Sequence, residues 1–165
     1  MKLEYENIIN EIKNEYYLNV QNLKNKNIIN KVIKEYDYGR YEGEYKNDKR
    51  EGKGIYYYNV KPWIGDRYEG DWKNNKKEGK GIYFFNNGDK YEGDWKNDKR
   101  EGKGIFYYND GDKYEGDWKK DKKEGKGIFY YNNGDREMGD YLDGNPIGKH
   151  ITLTIKGEVE SMIYN

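Results

Sequence analysis

Neither cysteine nor alanine occurs in this 165-residue chain, and histidine appears once, serine once and threonine twice. Without cysteine there are no disulfides and no thiolate chemistry; the redox compartment stays open, with the cytosol as the default expectation. A nucleophile with a neighbouring base would have to pair His150 with Ser161 or a threonine, all near the C-terminal end, so no enzyme is expected. Long apolar runs are missing as well, which speaks against a signal peptide or a spanning helix. Lys2 and the final Ile-Tyr-Asn match neither a myristoyl nor a prenyl signal. An excess of one charge is absent too: 31 basic and 31 acidic residues cancel, and nothing in the global field asks for nucleic acid or an anionic membrane. The lack of alanine beside abundant Asn, Lys, Ile and Tyr indicates AT-rich coding. Part of the lysine and asparagine content therefore reflects the genome rather than function.

Only 33% of the residues are hydrophobic and 38% are charged, a balance that leans towards disorder. The 20 tyrosines, four tryptophans and four phenylalanines reverse it, because rings supply the buriable area that aliphatic side chains do not. These rings recur. Tyr68, Tyr91 and Tyr114 each open a unit, Trp72, Trp95 and Trp118 follow four positions later, and Gly79/Gly81, Gly102/Gly104 and Gly125/Gly127 close the middle. An earlier unit opens at Tyr41, with Tyr45 in the tryptophan slot, and is lengthened by Val60 to Ile64. Units of this size cannot bury their own apolar face and must stack on their neighbours.

Within a unit the pattern has period two. In Tyr91-Glu92-Gly93-Asp94-Trp95 the rings and Gly93 share one face and the acids the other, as in a half-buried strand. Asn87-Gly88, Asp110-Gly111 and Asn133-Gly134 predict hairpin turns with positive φ at both central residues. Each unit is therefore two antiparallel strands and the array a meander of about ten strands. A register with Trp95 opposite Gly104 and Tyr91 opposite Tyr108 would lay a ring over each glycine. Residues 1–36 carry no repeat. Tyr5, Ile8, Ile9, Ile12, Tyr16, Val20 and Leu23 fall at helical spacing, which predicts an amphipathic helix, while 28–36 reads as either a second helix or a strand entering the array. A helix over Leu3 to Leu23, about 31 Å long, is commensurate with the sheet. Lying along it, capping its first hairpin and reaching out to a partner all remain open.

The unit YEGDW, a charged turn, then GKG and an apolar strand resembles the MORN (membrane occupation and recognition nexus) repeat, from Tyr41 to about Ile163. The last unit departs from it: Glu137 stands for the opening Tyr, Met138-Gly139-Asp140-Tyr141 for EGDW, and His150 for the second glycine, as in a terminal cap. The resemblance implies an elongated, single-layer antiparallel β-meander over residues 37–163, with units starting at 41, 68, 91, 114 and 137. It also implies binding and scaffolding rather than catalysis, in cytoskeletal, ciliary or membrane-junction settings or beside lipid kinases and methyltransferases.

Two candidate sites emerge. The row Tyr41, Tyr45, Tyr68, Trp72, Tyr91, Trp95, Tyr114 and Trp118 is core for the sheet and, on a single layer, also an aromatic groove for a helix or extended peptide of a partner. The pairs Lys49-Arg50, Lys76-Lys77, Lys99-Arg100 and Lys122-Lys123 recur at one edge and offer an alternative, phosphoinositide head groups. Interleaved acids such as Asp98 and Glu101 weaken that field. Carboxylate pairs such as Glu92/Asp94 recur in every unit and read as a solvated face with lysine partners rather than an acid–base pair. The segment Asn109-Asp110-Gly111-Asp112 reads as turn chemistry rather than a calcium loop, since no closing glutamate follows at the required spacing. No cofactor or metal is expected, and the oligomeric state is open. Trp63, inside the lengthened segment, is expected to fold back over Tyr58.

Overall fold

The computed structural model describes residues 31–165 and, before them, Lys13 alone; the helix expected in the first thirty residues lies outside the described residues. From Lys31 onward twelve strands form one antiparallel meander in chain order. They are β1 Lys31–Tyr36, β2 Gly39–Lys46, β3 Lys49–Tyr58, β4 Arg67–Lys73, β5 Lys76–Phe84 and β6 Lys90–Lys96, then β7 Lys99–Tyr107, β8 Lys113–Lys119, β9 Lys122–Tyr130, β10 Arg136–Leu142, β11 Asn145–Leu153 and β12 Val159–Tyr164. β1 settles residues 31–36 as strand, so the sheet begins before the boundary expected at 37. Ile33 faces Glu42 as Ile105 faces Glu115, and this strand precedes the first full unit in the same way that β7 precedes β8.

The turns differ from expectation in a way the chemistry explains. Positive φ at both central residues occurs at Asn47-Asp48, Asn74-Asn75, Asn97-Asp98, Lys120-Asp121 and Asp143-Gly144, the tight two-residue connections within each unit. Asn and Asp tolerate this region because their short side chains bond locally. At Asn87-Gly88 only the glycine has positive φ. There Gly88 N–H donates to Phe85 O at 3.1 Å and Phe85 N–H to Asp89 O at 3.0 Å, a three-residue loop ending in a left-handed glycine.

The register also corrects the expected one. Tyr91 faces Phe106, Gly93 faces Gly104, and Trp95 faces Arg100 across a bulge. The ring still covers glycine, but diagonally. A Cβ at Gly104 would sit 2.3 Å from the Tyr91 hydroxyl, and one at Gly93 2.5 Å from the Gly104 Cα. Paired glycines thus let Tyr91 lie flat on the sheet and reach the Asp94 carbonyl at 3.1 Å. Asp94 fills the bulge, accepting from Lys103 N–H at 3.0 Å.

The lengthened segment leaves the ladder as expected, with Trp63 N–H donating to Val60 O at 2.9 Å and Gly65 N–H to Tyr58 O at 3.1 Å. Trp63 does not fold back: it is 50% exposed, because Tyr58 already packs between Tyr56 and Tyr83.

Two substitutions test these backbone arguments by denaturant midpoint. Gly104→Ala drives a methyl into the Tyr91 ring and should cost about 2–4 kcal/mol. Lys120, at φ 49 without a side-chain reason for it, should gain stability as Lys120→Asn, by about 0.5–1 kcal/mol; a loss there would contradict the turn assignment.

Candidate functional site

The rings singled out from the sequence do form one row on one face, but as core. Tyr41, Tyr68, Tyr91 and Tyr114 are fully buried, Trp72, Trp95 and Trp118 are 4–5% exposed, and only Tyr45 is half-buried. They meet edge to face across units: Tyr68 to Trp95 at 5.2 Å, Trp95 to Tyr91 at 5.3 Å, Tyr91 to Trp118 at 5.2 Å. Each indole N–H reaches back a unit, Trp95 donating to Gly81 O and Trp118 to Gly104 O at 3.1 Å.

The basic pairs divide. Lys49, Lys76, Lys99 and Lys122 point to solvent, while Arg50, Lys77, Arg100 and Lys123 fold over the rings and are half-buried. Arg50 lies 4.3 Å from the Trp72 ring, Lys77 4.5 Å from Trp95, Arg100 4.4 Å from Trp118 and Lys123 4.6 Å from Tyr114. Burial lowers the Lys77 amine to about 8. The acids between these cations link successive turns: Glu78 accepts from Asn97 N–H at 3.0 Å, Glu101 from Lys120 N–H at 3.0 Å and Asp121 from Arg100 N–H at 2.9 Å. Asp112 is engaged likewise, accepting from Asn132 N–H at 2.8 Å, and among the described residues no cluster of His, Asp and Glu is arranged to hold a metal ion.

The last unit exchanges two residues for one purpose. His150, fully buried, lies over Gly139 and its Nε2 donates to Asp140 O at 2.9 Å, the carbonyl equivalent to the one Tyr91 reaches. Glu137, in the tyrosine slot, lies 2.7 Å from Nδ1 of His150 and accepts from Tyr131 at 2.7 Å and Tyr164 at 3.1 Å. Burial raises its carboxyl, but the bonds from Tyr131, Tyr164 and His150 outweigh that and hold it below the ordinary value.

The opposite face carries what the sequence reading missed. Ile55, Ile82, Ile105 and Ile128 alternate along a line with Glu69, Glu92 and Glu115. A second line alternates Lys80, Lys103 and Lys126 with aspartates, Lys80 meeting Asp94 and Lys103 meeting Asp117 at 2.6 Å. Between them lies bare backbone at the paired glycines, whose Cβ positions face the tyrosines on the other side, and the result is a groove of about 1200 Å³ running from Lys53 to Lys149. At ~4.8 Å per strand from β3 to β11 its length is about 38 Å. Beside the isoleucine line lies a second aromatic stripe, Tyr57, Phe84, Tyr107 and Tyr130, half-buried, with Arg67 4.2 Å from Phe84, Lys90 4.0 Å from Tyr107 and Lys113 4.0 Å from Tyr130. The signal was present: Gly104-Ile105-Phe106-Tyr107-Tyr108 is apolar at every position, the mark of a strand apolar on both faces.

The buried phenols give a pH test. Desolvation raises Tyr41, Tyr68, Tyr83, Tyr91 and Tyr114 well above their ordinary value and lifts Tyr141 to about 12. Folded values above the unfolded one mean stability intact below about pH 10 and lost as pH rises beyond it. Lys77, lowered to about 8, acts oppositely, adding stability from there to about pH 10. Denaturant midpoints should therefore rise, then fall steeply as the buried tyrosines ionise, and Lys77→Met should reduce the rise, to which Lys123, lowered likewise by burial, also contributes; the absorbance of all 20 tyrosines ionised together near pH 10 in a folded chain would refute the burial argument.

The family model for the MORN repeat matches residues 41–60, 68–90, 91–113 and 114–136, together more than half of the chain. None of the curated proteins matches it. Among solved structures, 32 chains match. One is the TCP domain of SAS-4 (dCPAP) in complex with a proline-rich motif of Ana2 (dSTIL), from Drosophila melanogaster, at 17% identity and a TM-score of 0.50, covering 76% of this chain and 66% of that one. The chain spans slightly less than two thirds of that domain's length, and the likeness at this identity is one of fold.

Proposed function

The chain belongs to the MORN-repeat family, and we propose that it is a protein-interaction scaffold whose ligand is an extended, proline-rich segment of a partner, laid along the glycine-floored groove. The observation that carries this reading is the groove's length and period. The groove is shallow and runs across nine strands from Lys53 to Lys149, a course that suits an extended chain laid along the backbone. The units repeat every two strands, ~9.6 Å, and a polyproline II chain turns every three residues over ~9.3 Å. The same face of such a peptide meets the same residues of each unit: isoleucine and glutamate on one side, the glycine floor, and lysine on the other. The neighbouring fold in complex with a proline-rich motif supports the choice of ligand class. The Tyr/Trp row, buried as it is, serves this function by keeping the sheet rigid. The same reading makes the chain a non-enzymatic, cytoplasmic protein.

The test is titration of a synthetic proline-rich peptide of about twelve residues, ~37 Å in polyproline II form. Ile105→Ala with Ile128→Ala, both on the groove wall, should weaken it about tenfold or more, whereas Trp63→Ala, outside the groove, should leave it unchanged. Equal losses would count against the groove. The lipid alternative rests on the solvent-facing Lys49, Lys76, Lys99 and Lys122; phosphoinositide vesicles that sediment the chain at low salt, and fail to after Lys99→Glu, would assign those lysines instead.

A further inference from the structure

The walls of the groove are unlike. On one side stand Glu69, Glu92 and Glu115, with side chains 36%, 49% and 48% exposed. Their only ion-pair partners among the described residues are same-strand cations, Arg67 at 3.0 Å, Lys90 at 3.4 Å and Lys113 at 3.3 Å. Those cations are also held over Phe84, Tyr107 and Tyr130, so each of these exposed, ring-shared pairs is weak. Glu92 and Glu115 engage through Oε2 alone, which leaves one oxygen of each for a ligand. On the other side Lys53, Lys80 and Lys103 rise 68–72% exposed, each bound to one aspartate oxygen. The second oxygen of Asp71 and of Asp94 is taken by a backbone N–H. An ammonium has three donors, so these lysines keep donors for a ligand while their aspartates are committed to the fold.

Resting on the reading of the groove as the seat of a polyproline II segment, we propose that the partner segment is zwitterionic with a three-residue period. It places a cation against the Glu69, Glu92 and Glu115 wall, a carboxylate against the Lys80, Lys103 and Lys126 wall, and a proline or other small residue on the glycine floor. The edges of a polyproline II helix lie a third of a turn apart, so one triplet serves both walls and the floor of each unit. Because the walls differ, such a peptide has one favoured direction along the groove. The acidic wall and basic wall also reject segments of uniform charge, each of which would meet one like-charged row.

The experiment compares, at low salt, a peptide of about four Pro-Arg-Glu triplets, a scrambled peptide of identical composition without the three-residue period, and an uncharged proline-rich peptide of equal length. The triplet peptide should bind about tenfold more tightly than the scrambled one, and the advantage should shrink as salt is raised. Glu92→Lys with Glu115→Lys, both exposed positions, should reverse the preference, so that a peptide of Pro-Glu-Glu triplets binds this variant better than the Pro-Arg-Glu peptide does. Circular dichroism establishes that the variant is folded, and the single Glu92→Gln, expected to lose a fewfold, repeats the test if the double variant is not. Equal binding of triplet, scrambled and uncharged peptides, unaltered by charge reversal, overturns the charge grammar while leaving the groove as a proline-rich seat. Failure of all the peptides to bind overturns both.

Discussion

The structure depends on rings meeting edge to face from one unit to the next. From Tyr41 through Trp72, Tyr68, Trp95, Tyr91, Trp118 and Tyr114 to Tyr141 the centroids follow one another at 5.1–5.5 Å. Each such pair adds about 0.5–1.5 kcal/mol beyond the area it buries, and each ring touches partners in two units. Among the described residues this single-layer sheet has no other core. The glycines are the other half of the same constraint: only a strand pair stripped of Cβ atoms lets a tyrosine lie on the backbone with its hydroxyl on the next carbonyl. Ring and glycine are therefore one device, and neither can be changed alone.

The last unit bears this out. Glu137 removes the ring and His150 removes the glycine, and the imidazole then occupies the space and makes the hydrogen bond that a tyrosine would. The aromatic line continues from Tyr141 through His150 to Tyr164. From the sequence this unit reads as decay. In the structure it is a compensated exchange, and its carboxylate is satisfied by two phenols and the imidazole rather than left as a buried charge.

Much of this fold is legible in the residues. The repeat, the period-two alternation of Tyr91 to Trp95 and the turn residues define a meander whose strands appear in chain order. The register was out of reach because the bulge at Asp94 places three residues of β7, Glu101 to Lys103, between the partners of Gly93 and Trp95, and a side chain filling a gap in the backbone has no periodic signature. The burial of the ring row was out of reach for a related reason. A one-per-unit ring row looks the same whether it is core or contact surface, and what separates the cases is whether the rings have each other as neighbours, a matter of register. The continuous apolar run after each GKG, by contrast, announces a second face, and the groove lies on that face.

Because one face is spent on cohesion, the other is released from it, and this shapes what the array can do. The opposite face holds ion pairs that are exposed and rings that are half-buried, so substitutions there come at little cost to the fold. Its glycine floor is imposed by the core on the reverse side, and any chain with this core has such a floor. The lengthened loop at Val60 to Ile64 does not interrupt it, since Gly54 still faces Gly70 and Ile55 still faces Glu69 across the insertion. The loop exits at the strand ends, beyond Tyr58, while the groove crosses the strands at their middle. In the function proposed for this face, recognition grows with each unit in register: the repeat length sets the period that a ligand has to match, and the two charged walls select among ligands of that period.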